Sequence, residues 1–139
     1  ALQLNKGFYN RFNFKLPYVT AKIGMSLDGK TSLSNGDSKF QRLKLTKTGL
    51  DKYFSEILVS GDIKIKKPDP KIYQTMSDKI NIPLEKCVYI GDRLDFDAIG
   101  SSDAGMLGVW LNRKNITGKK IPKNVKKIAS LQQLTPLLI

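Results

Sequence analysis

The sequence predicts a three-layer α/β domain built on a parallel sheet. Three observations point to it. From residue 37 onward, helical and strand patterns alternate along the chain, the order that gives parallel strands with helices on both faces. An apolar run, Val88-Tyr89-Ile90, stops at Gly91-Asp92 and is followed by residues suited to a helix, the strand-to-helix handover at which ligands bind in open α/β sheets. The chain has 139 residues, 40% hydrophobic and 26% charged, which suits one ordinary domain with a substantial core.

Taken in order, residues 1–16 carry Leu4, Phe8 and Phe12 at i, i+4 spacing with Leu16 following. That is one face of a short helix, ended by Pro17. Tyr18 to Ser26 alternates, with Val19, Ala21, Ile23 and Met25 on one face and Thr20, Lys22, Gly24 and Ser26 on the other, a strand pattern. Asp28-Gly29 and Asn35-Gly36 are turn signals. Asp37 or Ser38 caps a helix through Thr48, with Phe40 and Leu43 inward and Gly49 past its end. Tyr53-Phe54 forms a short turn, Ile57-Leu58-Val59-Ser60 reads as a buried strand, and Gly61 to Lys67 is a basic loop.

Pro68-Asp69-Pro70 opens the next helix, with Asp69 as N-cap and Pro70 at the first helical position. Ile72, Tyr73, Met76 and Ile80 make its apolar face. Cys87 to Ile90 is the strand before Asp92. Ala98, Ile99, Ser101 and Ala104 belong to the helix after it, and Gly105 stops that helix. Met106 to Leu111 is a further strand, residues 112–127 a polar, basic surface loop, and Ile128-Ala129 a last short strand. Ser130 then caps a terminal helix with Leu131, Leu134, Leu137 and Leu138 apolar.

Composition removes several function classes. Histidine is absent, which excludes histidine-based zinc sites and Ser/His or Cys/His nucleophile pairs. Cys87 is the one cysteine, so no intrachain disulfide forms and a buried, inert thiol is expected. No apolar run approaches the ~20 residues of a membrane span, and the N-terminal residues lack a signal-peptide pattern; a cytoplasmic protein without membrane contact is expected. Net charge is +12, but the lysines are scattered and no aromatics interleave with them. That favours solubility and incidental anion attraction over specific nucleic-acid binding.

Asp92 and Asp97 carry the chemistry at the strand end. Two readings stand side by side. Carboxylates at this edge can hold a hard cation such as Mg²⁺. Equally, they can cap the helix that follows, since acidic residues are favoured near helix N-termini.

Residues 33–139 resemble the haloacid dehalogenase-like phosphohydrolases, a family with a Rossmann-like core. Ser34-Asn35-Gly36 matches the tripeptide that ends the family's second core strand. Lys52-Tyr53-Phe54, Ile57, Ser60 and Lys67-Pro68-Asp69-Pro70 follow in order, then Gly91-Asp92 to Asp97, Ala104-Gly105-Met106 and Val109-Trp110-Leu111-Asn112-Arg113. The resemblance implies that Ser34 and Asn35 form the phosphate-binding turn and that Lys67 neutralises the phosphoryl charge. It implies that Asp92 holds Mg²⁺ with Asp97 in support. Phe96 stands where Asn is common in the family. The family's Asp-x-Asp motif is also missing: Ser26 fills the nucleophile slot in Ser26-Leu27-Asp28-Gly29-Lys30-Thr31. A two-residue slide of the strand keeps its faces and brings Asp28 to the nucleophile position, with Lys30 in the acid/base position. No cap insertion separates this motif from Ser34.

Residues 1–36 resemble the riboflavin-biosynthesis deaminase/reductase, in its interdomain helix and first reductase strand. Leu4-Asn5-Lys6-Gly7-Phe8 and the run from Leu16 to Thr31 carry that likeness. Most of the reductase domain has no counterpart here, so no nicotinamide cofactor is expected. Together the two resemblances divide the chain into a reductase-like segment, 1–32, and a dehalogenase-like core, 33–139. They imply a truncated, capless sheet with a foreign first strand that fills the central gap, pairs at an edge or in a hairpin, or exchanges between chains to give a homo-oligomer. The functional expectation is a recombined or engineered chimera with no evolved activity and a vestigial phosphate and Mg²⁺ pocket. The alternative is a weak Mg²⁺-dependent phosphomonoester hydrolase. A small phosphorylated molecule or inorganic anion is the expected ligand.

Overall fold

The structure, a computed structural model, describes residues 18–21, 38–49, 51–54 and 56–138. Helix 1–16, the remainder of strand 18–26, and Asp28, Ser34 and Asn35 lie outside the described residues.

Among the described residues four strands make one sheet: β1 (Tyr18–Ala21), β2 (Cys87–Gly91), β3 (Leu107–Leu111) and β4 (Val125–Ile128), in that spatial order. All three pairings are parallel, as the alternation of elements predicts. Tyr18 pairs with Cys87 and Ala21 with Ile90, so β1 runs toward the same edge at which β2 ends in Gly91. Every residue of β2 is buried, the mark of a parallel strand covered on both faces.

The helices are α1 (Ser38–Lys47), α2 (Ser60–Ile63), α3 (Pro70–Ile80), α4 (Gly100–Asp103) and α5 (Thr135–Leu138). A π-helical turn, Leu94–Ile99, leads into α4. α3 begins as its residues dictate, because the Asp69 carboxylate accepts from the Lys71 N–H at 2.9 Å and Pro70 needs no N–H partner. Ile72 and Tyr73 on α3 pack with Cys87, Tyr89 and Met106 on one face of the sheet. Leu94 and Ala98 pack near them against Trp110 and Val125. Val88, Ile90, Val109, Leu111 and Ile128 fill the opposite face, where Leu134 joins them. Gly105, at φ +105°, ends the α4 segment in a conformation open to glycine. Cys87 is buried, and its thiol donates to the Pro83 carbonyl at 3.4 Å. Among the described residues no helix is long and apolar enough to cross a membrane.

Four local expectations are corrected. Ile57 to Ser60 is not a strand: Val59 is extended and buried, but Ser60 already opens α2. Leu58, Ile63 and Ile65 earn their burial by packing beneath α3 rather than by pairing in the sheet, a distinction that a short apolar run does not encode. Phe40 and Leu43 on α1 are 53% and 49% exposed rather than inward, and the Lys44 ammonium sits 4.4 Å from the Phe40 ring centroid. The last strand begins at Val125, not Ile128, since pairing with Gly108 to Leu111 draws Lys126 and Lys127 into the ladder with their side chains exposed. The terminal helix is a 3₁₀ turn, Leu131–Gln133, followed by α5. Leu131 and Leu137 are exposed there, while Leu134 packs against the sheet.

Candidate active site

The carboxyl edge of the parallel sheet gathers the candidate residues that fall within the described chain. β2 delivers Gly91 to this edge, and Asp92 follows at once with its carboxylate side exposed. The Asp92 carbonyl accepts from the Trp110 indole N–H at 3.0 Å. Trp110 is buried on β3 in register with Gly91, so the main chain at Asp92 is held while its side chain reaches outward.

Asp97 lies directly on Gly91. A Cβ at position 91 would overlap Asp97 Cβ, Cγ and Oδ2, so the close approach of this carboxylate requires glycine there. One Asp97 oxygen takes an ion pair from Lys67 Nζ, and the other accepts the Arg93 N–H at 3.1 Å. The two side chains of the ion pair are only 10% and 7% exposed. Such a pair is costly to desolvate and persists where further hydrogen bonds satisfy it. Arg93 is the residue before the first helical position, so Asp97 also meets a helix-end donor. In the structure this carboxylate pairs with the Lys67 ammonium and also serves the helix terminus.

Lys67 precedes α3 by a short Pro68-Asp69 link. Its ammonium lies 5.6 Å from the centroid of the Tyr89 ring. Tyr89 meets Tyr73 edge to face, with centroids 5.2 Å apart. The Tyr73 hydroxyl donates to the Phe96 carbonyl at 2.5 Å. Burial, followed by the charges of Asp97 and Asp103, pushes the Tyr73 phenol above its usual range. Burial likewise raises Tyr89 well above that range, with Asp97, Tyr73 and Asp92 adding to the effect. Both rings are neutral at physiological pH. Phe96, the departure at this motif, has the Arg93 guanidinium 4.3 Å from its ring centroid.

Asp92 supplies a hard oxygen donor suited to Mg²⁺, which is commonly held by one or two carboxylates with water and substrate phosphate completing its shell. Among the described residues no group of three acidic, cysteine or histidine side chains gathers. Lys67, Asp92 and Asp97 are thus placed at one edge. Asp28, Ser34 and Asn35 lie outside the described residues. The Tyr73–Tyr89 pair was not legible as part of the site: Tyr73 reads as one more member of an apolar helix face, and only its hydroxyl, which needs a partner when buried, hinted otherwise.

Comparison with known proteins follows the same residues. The family described as haloacid dehalogenase-like hydrolase matches residues 32–111. The chain is 36% identical over 92 residues to a glyceraldehyde 3-phosphate phosphatase of Methanopyrus kandleri, covering 66% of this chain and 38% of that protein. It is 33% identical over 110 residues to the N-acylneuraminate-9-phosphatase of Rattus norvegicus, covering 76% and 44%. The HAD-hydrolase YfnB of Bacillus subtilis, solved bound to magnesium, superposes with a TM-score of 0.67 at 29% identity, over 74% of this chain and 46% of that one. The chain spans less than half the length of these relatives. These likenesses overturn the expectation of a chimera with no evolved activity: relatives at 33–36% identity are named phosphatases, and the likeness covers the stretch that builds the edge just described.

Proposed function

The chain belongs to the haloacid dehalogenase-like hydrolase family, and on that footing we propose that it takes part in Mg²⁺-dependent hydrolysis of small phosphomonoesters. The observation that carries this reading is the buried Lys67–Asp97 pair at the carboxyl edge of the sheet, beside Asp92. An ammonium has three N–H donors. Asp97 engages the Lys67 ammonium without exhausting them, so it can meet a phosphoryl oxygen while its position stays fixed. Phosphoryl transfer depends mainly on such positioning and charge stabilisation.

In this reading Asp92 holds Mg²⁺, which supplies charge neutralisation at the phosphoryl oxygens when bound. Asp97 orients Lys67 and supports the metal edge through it. Ser34 and Asn35 bind the phosphoryl group, and Asp28 is the candidate nucleophile. Residues 33–139 form the hydrolase segment, and the segment 1–32, similar to a reductase strand, contributes β1 without reductase chemistry. The relatives' names favour small phosphorylated metabolites as the substrate class.

The test is phosphate release from p-nitrophenyl phosphate with Mg²⁺ and with chelator. Turnover that needs Mg²⁺ and is lost in Lys67→Ala and Asp92→Asn supports the proposal. Absence of Mg²⁺-dependent release sinks it. Persistence of full turnover in Asp28→Asn removes Asp28 from the nucleophile role.

A further inference from the structure

The buried tyrosine pair is bound into the Lys67–Asp97 geometry in a way that a plain apolar core would not require. Two chain segments must meet to form that ion pair. One carries Lys67 and runs straight into α3; the other carries Phe96 and Asp97 in the turn after β2. Tyr73, in the first turn of α3, donates its hydroxyl to the carbonyl of Phe96, the residue immediately before Asp97. The bond therefore ties the segment after Lys67 to the segment before Asp97. Gly100 allows this closeness: a Cβ there would stand 2.9 Å from both Pro68 Cβ and the Tyr73 hydroxyl oxygen.

Tyr89 acts from the floor. Its ring presents to the Lys67 ammonium at 5.6 Å from the centroid, within the reach of a cation–π contact. Tyr73 packs edge-on at 88° against the same ring, so the second tyrosine fixes the orientation of the first. The Tyr89 hydroxyl, in contrast, is buried and has no hydrogen-bond partner among the described residues. A buried donor without a partner is a net cost, and it makes the ring the useful part of this residue. The raised ionisation range of Tyr89, in which Asp97 is the foremost charged contributor, agrees with a ring lying beside the pair.

The geometry points to Tyr73 and Tyr89 as positioning residues that seat the Lys67 ammonium for the phosphoryl group, Tyr73 through its hydroxyl and Tyr89 through its ring face. Neither touches substrate. This inference rests on the hydrolase reading for its consequence, but not for its geometry.

The same substitution at the two rings has opposite expected outcomes. Tyr73→Phe removes a partnered hydroxyl; Tyr89→Phe removes an unpartnered one and keeps the ring; Tyr89→Leu removes the ring. In the full chain, with p-nitrophenyl phosphate and Mg²⁺, KM rises about five-fold in Tyr73→Phe and in Tyr89→Leu, with kcat changing less. Tyr89→Phe stays within about two-fold of the parent, the rescue by a ring without its hydroxyl. A second readout needs no activity: acylation of the Lys67 amine, followed by mass spectrometry against exposed Lys71 as internal reference. Lys67 reacts about five-fold faster in Tyr73→Phe and Tyr89→Leu than in the parent, and Tyr89→Phe matches the parent. If Tyr89→Leu does not fold, the contrast between the two Phe variants carries the test. If the parent chain hydrolyses nothing, the hydrolase reading fails and acylation alone decides the positioning role. Unchanged Lys67 acylation in Tyr73→Phe and Tyr89→Leu overturns the inference, as does a Tyr89→Phe variant that behaves like Tyr89→Leu.

Discussion

α1 and α3 have ten and eleven residues, yet the molecule uses them in different ways. α3 buries Ile72, Tyr73 and Ser77, is capped at its start by Asp69, and ends at Asn81 in the left-handed conformation. α1 buries no residue. One ion pair from each side extends the contrast. Near α3 it is Lys67–Asp97, almost wholly withdrawn from water; near α1 it is Arg42–Asp62 at 2.6 Å, with side chains 51% and 32% exposed. The same pairing of charges thus has two meanings. Within the core it fixes where the Lys67 ammonium stands, and at the surface it adds little beyond solvation.

The sharpest way to break this contrast is to remove one partner of the buried pair. Lys67→Met leaves Asp97 buried without its cation, and urea unfolding should report a loss of about 3–5 kcal/mol. Replacing both partners, as Lys67→Met with Asp97→Leu, should recover most of that loss while leaving phosphate release abolished. A double variant as unstable as the single one would mean that the pair itself, rather than the orphaned charge, holds the fold. Next in size is Gly91→Ala, whose added methyl overlaps Asp97. It should cost about 1–3 kcal/mol and lower activity, because the carboxylate must move.

High pH probes the same side without mutation. The phenols of Tyr73 and Tyr89 ionise less readily in the folded chain than the ordinary value of 10.0. The unfolded chain therefore releases these protons first as pH rises. Their contribution is fully present below pH 10 and declines as the pH climbs from there toward the raised values. Alkaline titration followed by circular dichroism should show the parent losing stability above pH 10, with less loss in Tyr89→Phe. The smallest effect belongs to the α1 side. Arg42→Ala should leave the melting temperature within about 1 °C of the parent. Hydrogen bonds from Ser38 and Arg42 hold Asp62 below its ordinary 3.8, so the little this carboxylate contributes is present above that value and fades as pH falls through the lowered one. Acid titration of Arg42→Ala should show a correspondingly flatter acid limb.

The legible and illegible parts of the sequence divide along the same line. β2 and its exit could be read because the run is apolar on both faces and Gly91-Asp92 stops it. α3 could be read because Asp69 and Pro70 act within a single turn. Ile57 to Ser60 misled because an apolar run records burial and not the partner that provides it. Phe40 and Leu43 misled because helical spacing tells which residues share a face and not whether anything covers that face. At the site, family motifs placed Lys67, Asp92 and Asp97 together. The tyrosine contacts depend on an approach between residues far apart in the chain, which no local pattern encodes.

The parallel pairing of β1 with β2 has a consequence in time. Tyr18 and Cys87 are neighbours in the sheet but stand nearly half the chain apart in sequence. Joining them closes a long loop before any ladder bond forms, whereas β2, β3 and β4 follow one another over much shorter connections. On a ribosome the partner of β1 emerges long after β1 itself. The unit from α3 to β4 is then the scaffold onto which the first strand docks late, and pulsed hydrogen exchange should find the amides of residues 87–91 protected before those of residues 18–21.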